Sequence, residues 1–292
     1  MKILLTGISG QVGWELQRTL MTVGEVISLN RGQLDLANPD SIRGTIRDIK
    51  PDLIVNPAAY TAVDKAESEI DLAMAINGVA PGIIAEEAKS LNAAIIHYST
   101  DYVFDGNKNT PYQENDQTNP QNIYGKTKLA GEEAISSVGV NYLIFRTSWV
   151  YGLRGKNFLL TMQRLAKERE EIRVVDDQIG APTWSGMIAE ITAQVITQGQ
   201  NNLIDFFAKN RGIYNLSPSG TTSWYGFAKA ILKDDFPNNE RKLKRLIPIT
   251  TPEYPTPASR PAFSLLDNQK LSDTFGLKMP EWDQVLKLVL DS

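Results

Sequence analysis

Short runs of aliphatic and β-branched residues alternate, through the first half of the chain, with longer stretches whose apolar positions recur at helical spacing. Ile3-Leu4-Leu5 is the first such run, and Gln11 to Leu20 is the first helical pattern. Val26-Ile27-Ser28-Leu29 follows. Asn38-Pro39 then offers an N-cap with proline at the first helical position, predicting a helix to about Ile49. Leu53-Ile54-Val55, a long helical stretch within Glu67 to Leu91, Ala94-Ile95-Ile96, a helix through Tyr124 and Tyr142-Leu143-Ile144-Phe145 complete the series. This alternation predicts an α/β fold built on a Rossmann-type, doubly wound parallel sheet. The strand segments are almost wholly apolar, as strands are when helices cover both faces of a sheet.

The second half has a different texture. Asp176 to Thr183 is polar and rich in turn residues and predicts a loop. A helix is predicted from Ser185 to about Gln198, a short strand at Gly212 to Leu216, and helices at Trp224 to Leu232 and Trp282 to Leu290. Thr250 to Pro261 holds four prolines and predicts an irregular segment ordered by a ligand or by packing. These pieces are too scattered for a second nucleotide-binding unit, and no internal repeat or low-complexity stretch appears. We read residues 1–150 as a Rossmann domain and 151–292 as mainly a smaller, mixed substrate-binding lobe, with later segments free to return to the first.

Charge and composition narrow the function classes. A net charge of −4 and a pI near 5.3 leave no basic footprint for nucleic acid and no reason to propose a membrane surface. The absence of cysteine excludes disulfides, thiol catalysis and thiolate metal sites, and fits a reducing cytoplasm. A single histidine, His97, excludes a multi-histidine zinc site. The opening Met-Lys-Ile-Leu-Leu reads as a strand and not as a signal peptide, and no apolar run is long enough to cross a bilayer.

Thr6-Gly7-Ile8-Ser9-Gly10-Gln11-Val12-Gly13 joins the first strand to the first helix, which is the setting of a dinucleotide-binding loop. Glycines there allow a tight turn and close approach of a pyrophosphate to the helix N-terminus. The spacing is Gly-x-x-Gly-x-x-Gly, and the alternative is a purely structural turn. The second strand ends at Asn30-Arg31, without the acidic residue that would bind a ribose 2′-hydroxyl and repel a 2′-phosphate. This favours NADPH, with NADH left open and a solvated surface charge as the alternative for Arg31. Asp35 and Leu36 are expected beside the adenine. Ala58, Ala59 and Tyr60 follow the third strand, with small residues where a cofactor would cross the sheet edge.

Tyr124 and Lys128 are four residues apart in a predicted helix, so their side chains share one face. An ammonium beside a phenol favours the phenolate and would tune the tyrosine for proton exchange with a carbonyl or alcohol. The competing reading is an amphipathic helix with a core tyrosine and a solvated lysine.

Taken in order, Gly10 to Gln17, Ala58 to Glu67, His97 to Gly106, Tyr124 to Glu132, Arg146 to Gly152, Asp177 to Thr183 and Pro255 to Pro261 form a set. In these segments the chain resembles the extended short-chain dehydrogenase/reductase superfamily and, within it, the dTDP-4-dehydrorhamnose reductase family. The resemblance implies a triad of Thr100, Tyr124 and Lys128. Tyr124 would protonate a sugar C4 keto oxygen as hydride arrives from the nicotinamide. Lys128 would lower the Tyr124 pKa and hold the nicotinamide ribose, and Thr100 would align the oxygen. Thr100-Asp101-Tyr102 lacks the glutamate that nucleotide-sugar 4,6-dehydratases carry at the third position, which disfavours elimination of water. Asp101 and Trp149 are expected on the substrate side, with core packing as the alternative for Trp149. Arg260 is expected to meet the nucleotide diphosphate, with a structural salt bridge as its alternative. Gln178 and Asn157 are further polar candidates. His97 is expected at a buried strand edge, without chemistry.

Some relatives are described as using magnesium through acidic residues at a subunit interface. Glu15 is present, but Trp184-Ser185-Gly186 stands where a partner carboxylate would be expected. This departure argues against magnesium and against the dimer it would support, so a monomer or a homodimer is expected. The function implied is NADPH-dependent reduction of dTDP-4-dehydro-β-L-rhamnose to dTDP-L-rhamnose. The alternatives are a reductase of another nucleotide-linked 4-keto sugar, and a non-catalytic NADP-binding regulatory subunit like that of methionine adenosyltransferase. The intact Thr100, Tyr124 and Lys128 favour an enzyme.

Overall fold

The computed structural model describes residues 1–233 and 241–291. Its first half builds β1 (Lys2–Leu5), α1 (Gln11–Leu20), β2 (Glu25–Ser28), α2 (Pro39–Ile49) and β3 (Leu53–Asn56). The short α3 (Val63–Ala66) and α4 (Ile70–Met74) follow, then a π-helical turn at Ala75–Val79, α5 (Ala80–Ser90), β4 (Ala94–Thr100), α6 (Ile123–Val138) and β5 (Asn141–Thr147). Local chemistry explains the boundaries. Asn38 caps α2 by accepting from the backbone N–H groups of Asp40 and Ser41, and Pro39 sits in the first turn. The predicted helix within residues 67–91 is helical from Ile70 to Ser90 but is interrupted by the π turn. There Asn77 turns its amide onto both backbone groups of Tyr60, at 2.8 and 3.0 Å, and onto the Thr127 hydroxyl.

The second half supplies β6 (Val150–Tyr151), α7 (Phe158–Glu168), β7 (Glu171–Val175), β8 (Ile179–Gly180), β9 (Thr183–Trp184), α8 (Ser185–Gln198), α9 (Leu203–Lys209) and β10 (Gly212–Asn215). It ends with β11 (Thr222–Ser223), α10 (Trp224–Ile231), β12 (Arg245–Ile249), α11 (Gln269–Phe275) and α12 (Trp282–Leu290). The expected loop at 176–183 is interrupted by the two-residue strands β8 and β9. The helix α7 and the parallel pair β7 and β12 were not anticipated.

The main sheet has six parallel strands in the order β10-β5-β4-β3-β1-β2. Strand order reverses between β1 and β3, and α/β sheets of this kind bind ligands at that switch point, beyond the carboxyl ends of the strands. The chain returns to this sheet well after residue 150: β10 forms its outer strand beside β5, and α8 packs beside α1. Ile3, Leu5, Val55 and Ile96 face one side with α1 and α8, while Leu4, Ile54 and Ile95 face the other with α2 and α5. A separate core of Tyr151, Leu159, Phe227, Val285 and Leu286 holds the smaller lobe together. Among the described residues no helix is long and apolar enough to cross a membrane.

One buried ion pair ties the helix α6 to the sheet. Arg146 on β5 and Glu132 on α6 are each 2% exposed and meet side-on, Nε to Oε1 at 3.0 Å and NH2 to Oε2 at 2.6 Å.

Candidate active site

A cavity of about 780 Å³ opens at the carboxyl ends of β1, β3, β4 and β5. The glycine loop forms one end. Gly7 has φ +62°, and a Cβ there would lie 2.8 Å from the Ala58 backbone. A Cβ on Gly13 would lie 2.2 Å from the Gly7 carbonyl oxygen. Only glycine fits either position, so the loop folds flat against the strand ends. Gly10 caps α1 without a side-chain bond, which leaves the first backbone N–H groups of the helix open to an anion.

Gly7, Ser9, Gly10, Gln11, Val12, Gly13, Asn30, Arg31, Asp35, Leu36, Ala58, Ala59 and Tyr60 all line this cavity, and so do Thr100, Asp101, Tyr124, Lys128 and Trp149. A dinucleotide fits the donor set. Open amides lie at one end, Asn30 and an exposed Arg31 follow β2 without an adjacent carboxylate, and a phenol and an ammonium lie at the other end. The residues missed in the sequence include Ile76, Thr147, Gly155 and Lys156. The cluster Arg154-Gly155-Lys156, just after β6, was the available signal for the last two. Asn157 braces that loop by donating from Nδ2 to Gln11 Oε1 at 2.9 Å, while its Oδ1 caps α7.

Tyr124 lies in the first turn of α6, which Asn122 caps by accepting from the Gly125 N–H at 2.7 Å. Its phenol ring packs edge-on against Tyr102. The expected lowering of its pKa by Lys128 does not occur. Burial pushes the Tyr124 phenol up to about 12, the charge of Asp101 adds to this, and a hydrogen bond with Thr100 opposes it. The reason is geometric: the Lys128 ammonium reaches past the phenol to β4, where it donates to the Tyr98 carbonyl at 2.6 Å and meets His97 Nε2 at 3.1 Å. Burial lowers the Lys128 pKa to about 8, against the raising charge of Glu132. Asp101 is buried and is raised to about 6 by burial, with the Ser264 and Thr100 hydroxyls opposing. The Thr100 hydroxyl donates to Asp101 Oδ1 at 3.0 Å.

Arg260 and Gln178 lie elsewhere. Arg260 does not line the cavity. Its guanidinium grips both carboxylate oxygens of Asp64, at 3.1 and 3.0 Å, and holds the Asp64 carboxyl below its ordinary pKa. Gln178 is buried, bonds Thr251 and is not part of the lining. Trp149 has φ +47° and stacks on Trp224 with ring centroids 3.7 Å apart, while Gly180 leaves room against the same indole. His97 is not at a strand edge. Strand β4 is interior to the sheet, and the ring is fully buried between Asn56 and Lys128.

The carboxylate not found beside Trp184 lies one turn further along α8. Glu190 faces Glu15 closely enough to raise its pKa, after burial as the larger cause, while Arg18 pairs with Glu15 at 3.5 Å. Among the described residues no group of three or more acidic or histidine side chains could hold a metal ion.

The RmlD substrate binding domain model matches residues 1–292. The dTDP-4-dehydrorhamnose reductase of Burkholderia thailandensis is 48% identical over 285 residues, covering 97% of this chain and 95% of that protein. A solved dTDP-4-dehydrorhamnose reductase from Clostridium acetobutylicum has a TM-score of 0.90 and 41% identity, covering 100% of this chain and 99% of that one. That of Bacillus anthracis, solved in complex with NADP, has a TM-score of 0.88 and 36% identity over 99% and 98% of the two chains. The chain belongs to the RmlD substrate-binding-domain family, the dTDP-4-dehydrorhamnose reductases.

Proposed function

We propose that the chain reduces the C4 keto group of dTDP-4-dehydro-β-L-rhamnose with NADPH to give dTDP-L-rhamnose. The observation that carries this reading is one cavity lined by the glycine loop at one end and by Thr100, Tyr124 and Lys128 at the other. When bound, NADPH supplies the hydride to C4. Tyr124 gives its proton to O4 as the C=O bond becomes C–O–H, so one hydride and one proton complete the reduction. A phenol pKa near 12 keeps that proton in place at neutral pH until alkoxide character develops on the substrate. Thr100 donates to O4 once its hydroxyl turns from Asp101, and Lys128 holds the nicotinamide ribose. Tyr102 stands where a dehydratase has a carboxylate, so the site lacks the group that would help expel water.

Residues 1–150, completed structurally by α8 and β10, form the cofactor-binding domain, and the remainder of 151–292 binds mainly the nucleotide sugar, with Trp149 at the join. Arg260 acts from the rim, after exchanging Asp64 for a substrate phosphate. Both reactants are soluble, and we assign the reaction to the cytoplasm, carried out by a monomer or a homodimer. The test is loss of NADPH absorbance on adding freshly prepared dTDP-4-dehydrorhamnose. Absence of oxidation by the wild-type chain would remove the proposal.

Cofactor choice has its own check. Arg31→Ala raises the Michaelis constant for NADPH about tenfold, the scale of one hydrogen bond to a charged group, and leaves that for NADH nearly unchanged. Equal effects on both would separate Arg31 from the 2′-phosphate.

A further inference from the structure

The loop between β6 and α7 packs on the first turn of α1, and three of its residues hold it there. Arg154 sets its guanidinium over the Trp14 ring, 4.1 Å from the centroid. A Cβ on Gly155 would lie 3.6 Å from Gln11 Cγ, and a φ of +75° turns the chain at that glycine. Asn157 donates from Nδ2 to Gln11 Oε1 at 2.9 Å and to the Gly152 carbonyl at 2.8 Å, so the turn is closed both on itself and on the helix. Lys156 stands among these fixed residues. It is exposed, lines the cavity with Ser9, Gly10 and Gln11, and among the described residues its ammonium has no ion-pair partner.

Among the described residues, three cationic side chains line the cavity: Arg31, Lys128 and Lys156. Arg31 follows β2, where a 2′-phosphate would lie. Lys128 is held at β4 by the Tyr98 carbonyl at 2.6 Å. The pyrophosphate of a dinucleotide falls to the first turn of α1, where open backbone N–H groups offer donors but only about half an elementary charge. Two phosphate charges at that point leave room for a whole cation, and Lys156 is the one the fold brings there. Arg154 does not line the cavity, because its guanidinium is engaged with Trp14. The rival anion is the diphosphate of the sugar substrate. The contacts of the loop with Trp14 and Gln11 place it beside the glycine loop and favour the cofactor.

We infer that Lys156 is a cofactor-binding residue, whose ammonium pairs with the pyrophosphate held by the glycine loop. The inference rests on the dinucleotide reading of the cavity. A lysine suits the place, since its ammonium is a compact charge on a flexible stem that can follow a phosphate from an exposed loop. The pyrophosphate is common to NADPH and NADH, so Lys156 sets how tightly either is held, while Arg31 sets which is preferred.

The test is equilibrium binding of NADPH and NADH to the full chain, followed by nicotinamide fluorescence without keto sugar. Lys156→Met keeps the length of the stem and removes the charge, and the exposed position leaves the fold undisturbed. The expected result is a dissociation constant raised about tenfold for both cofactors, the scale of one hydrogen bond to a charged group. Lys156→Arg recovers most of the loss. ADP-ribose, which carries the pyrophosphate without the nicotinamide or the 2′-phosphate, should lose affinity by the same factor when it competes with NADPH. Unchanged binding of both cofactors in Lys156→Met would overturn the inference. A loss confined to NADPH would move Lys156 to the 2′-phosphate, and a raised Michaelis constant for the keto sugar alone would move it to the substrate diphosphate; either result also overturns it. A wild-type chain that binds NADPH through Lys156 but oxidises none would defeat the proposed function and leave this inference standing.

Discussion

Tyr124→Phe is expected to lower kcat by roughly 10²–10⁴-fold, the range that a positioned general acid contributes. The change removes one oxygen from a ring that keeps its edge-on contact with Tyr102, so the first turn of α6 and its Asn122 cap stay in place. The glycine loop, Arg31 and Lys128 are untouched, so the dissociation constant for NADPH should hardly move. Loss of kcat with cofactor binding retained separates proton donation from binding. Steady-state rates at saturating keto sugar, with NADPH binding followed by fluorescence, measure both. Wild-type turnover in the variant would take the proton donor away from Tyr124.

Arg146→Met is expected to be the most damaging of the stability changes. It leaves the Glu132 carboxylate 2% exposed with neither of its side-on bonds. Uncompensated buried charges of this kind cost about 3–5 kcal/mol. Against a typical margin of about 5–15 kcal/mol, that is a large share of the stability. The loss also reaches the active site, because the pair fastens α6, with Tyr124 and Lys128 upstream of Glu132, to β5. The same arginine donates to the Glu114 carbonyl and lies over the Phe104 ring, so lysine is a poor substitute. Urea unfolding reads the midpoint. Replacing both partners, Glu132→Leu with Arg146→Met, should recover most of the loss, since no buried charge is then left alone. A single variant as stable as the wild type would contradict this account of the pair.

How much of this was legible in the sequence depended on how local the signal was. The helices α1, α8 and α12 have the bounds predicted for them from their apolar spacing, and α2 starts where Asn38-Pro39 places it, because these signals are local. The cavity lining was legible for the same reason: Gly7, Gly10, Gly13, Thr100 and Tyr124 sit at strand ends, and a parallel sheet brings its carboxyl ends together. The position of β10 was not legible. Gly212 to Asn215 reads as a strand, but nothing in those residues names β5 as its neighbour. The start of α7 was available in Asn157 and the apolar residues after it, but a capping signal is easily passed over in a segment assigned to an irregular lobe.

What escaped the sequence at the site is contact across long sequence distances. Arg260 was expected on a diphosphate, with a salt bridge as the alternative, and it grips Asp64, which lies far back in the sequence. Spacing along α6 put Lys128 beside Tyr124, but a lysine stem is long enough to carry its charge elsewhere. Tyr98 and His97 on β4 draw the ammonium, and the phenol pKa rises instead of falling. Glu190 escaped notice because it reaches Glu15 only once α8 lies against α1.

The central claim is that hydride passes from NADPH to C4 of the keto sugar while Tyr124 supplies the proton to O4. The most direct measurement uses NADPH deuterated at the transferred position of nicotinamide C4, dTDP-4-dehydrorhamnose and the wild-type chain in ordinary water, with the product read by NMR. The predicted result is dTDP-L-rhamnose with one deuterium, bonded to C4. Product without deuterium at C4, or label at another carbon, would contradict the account.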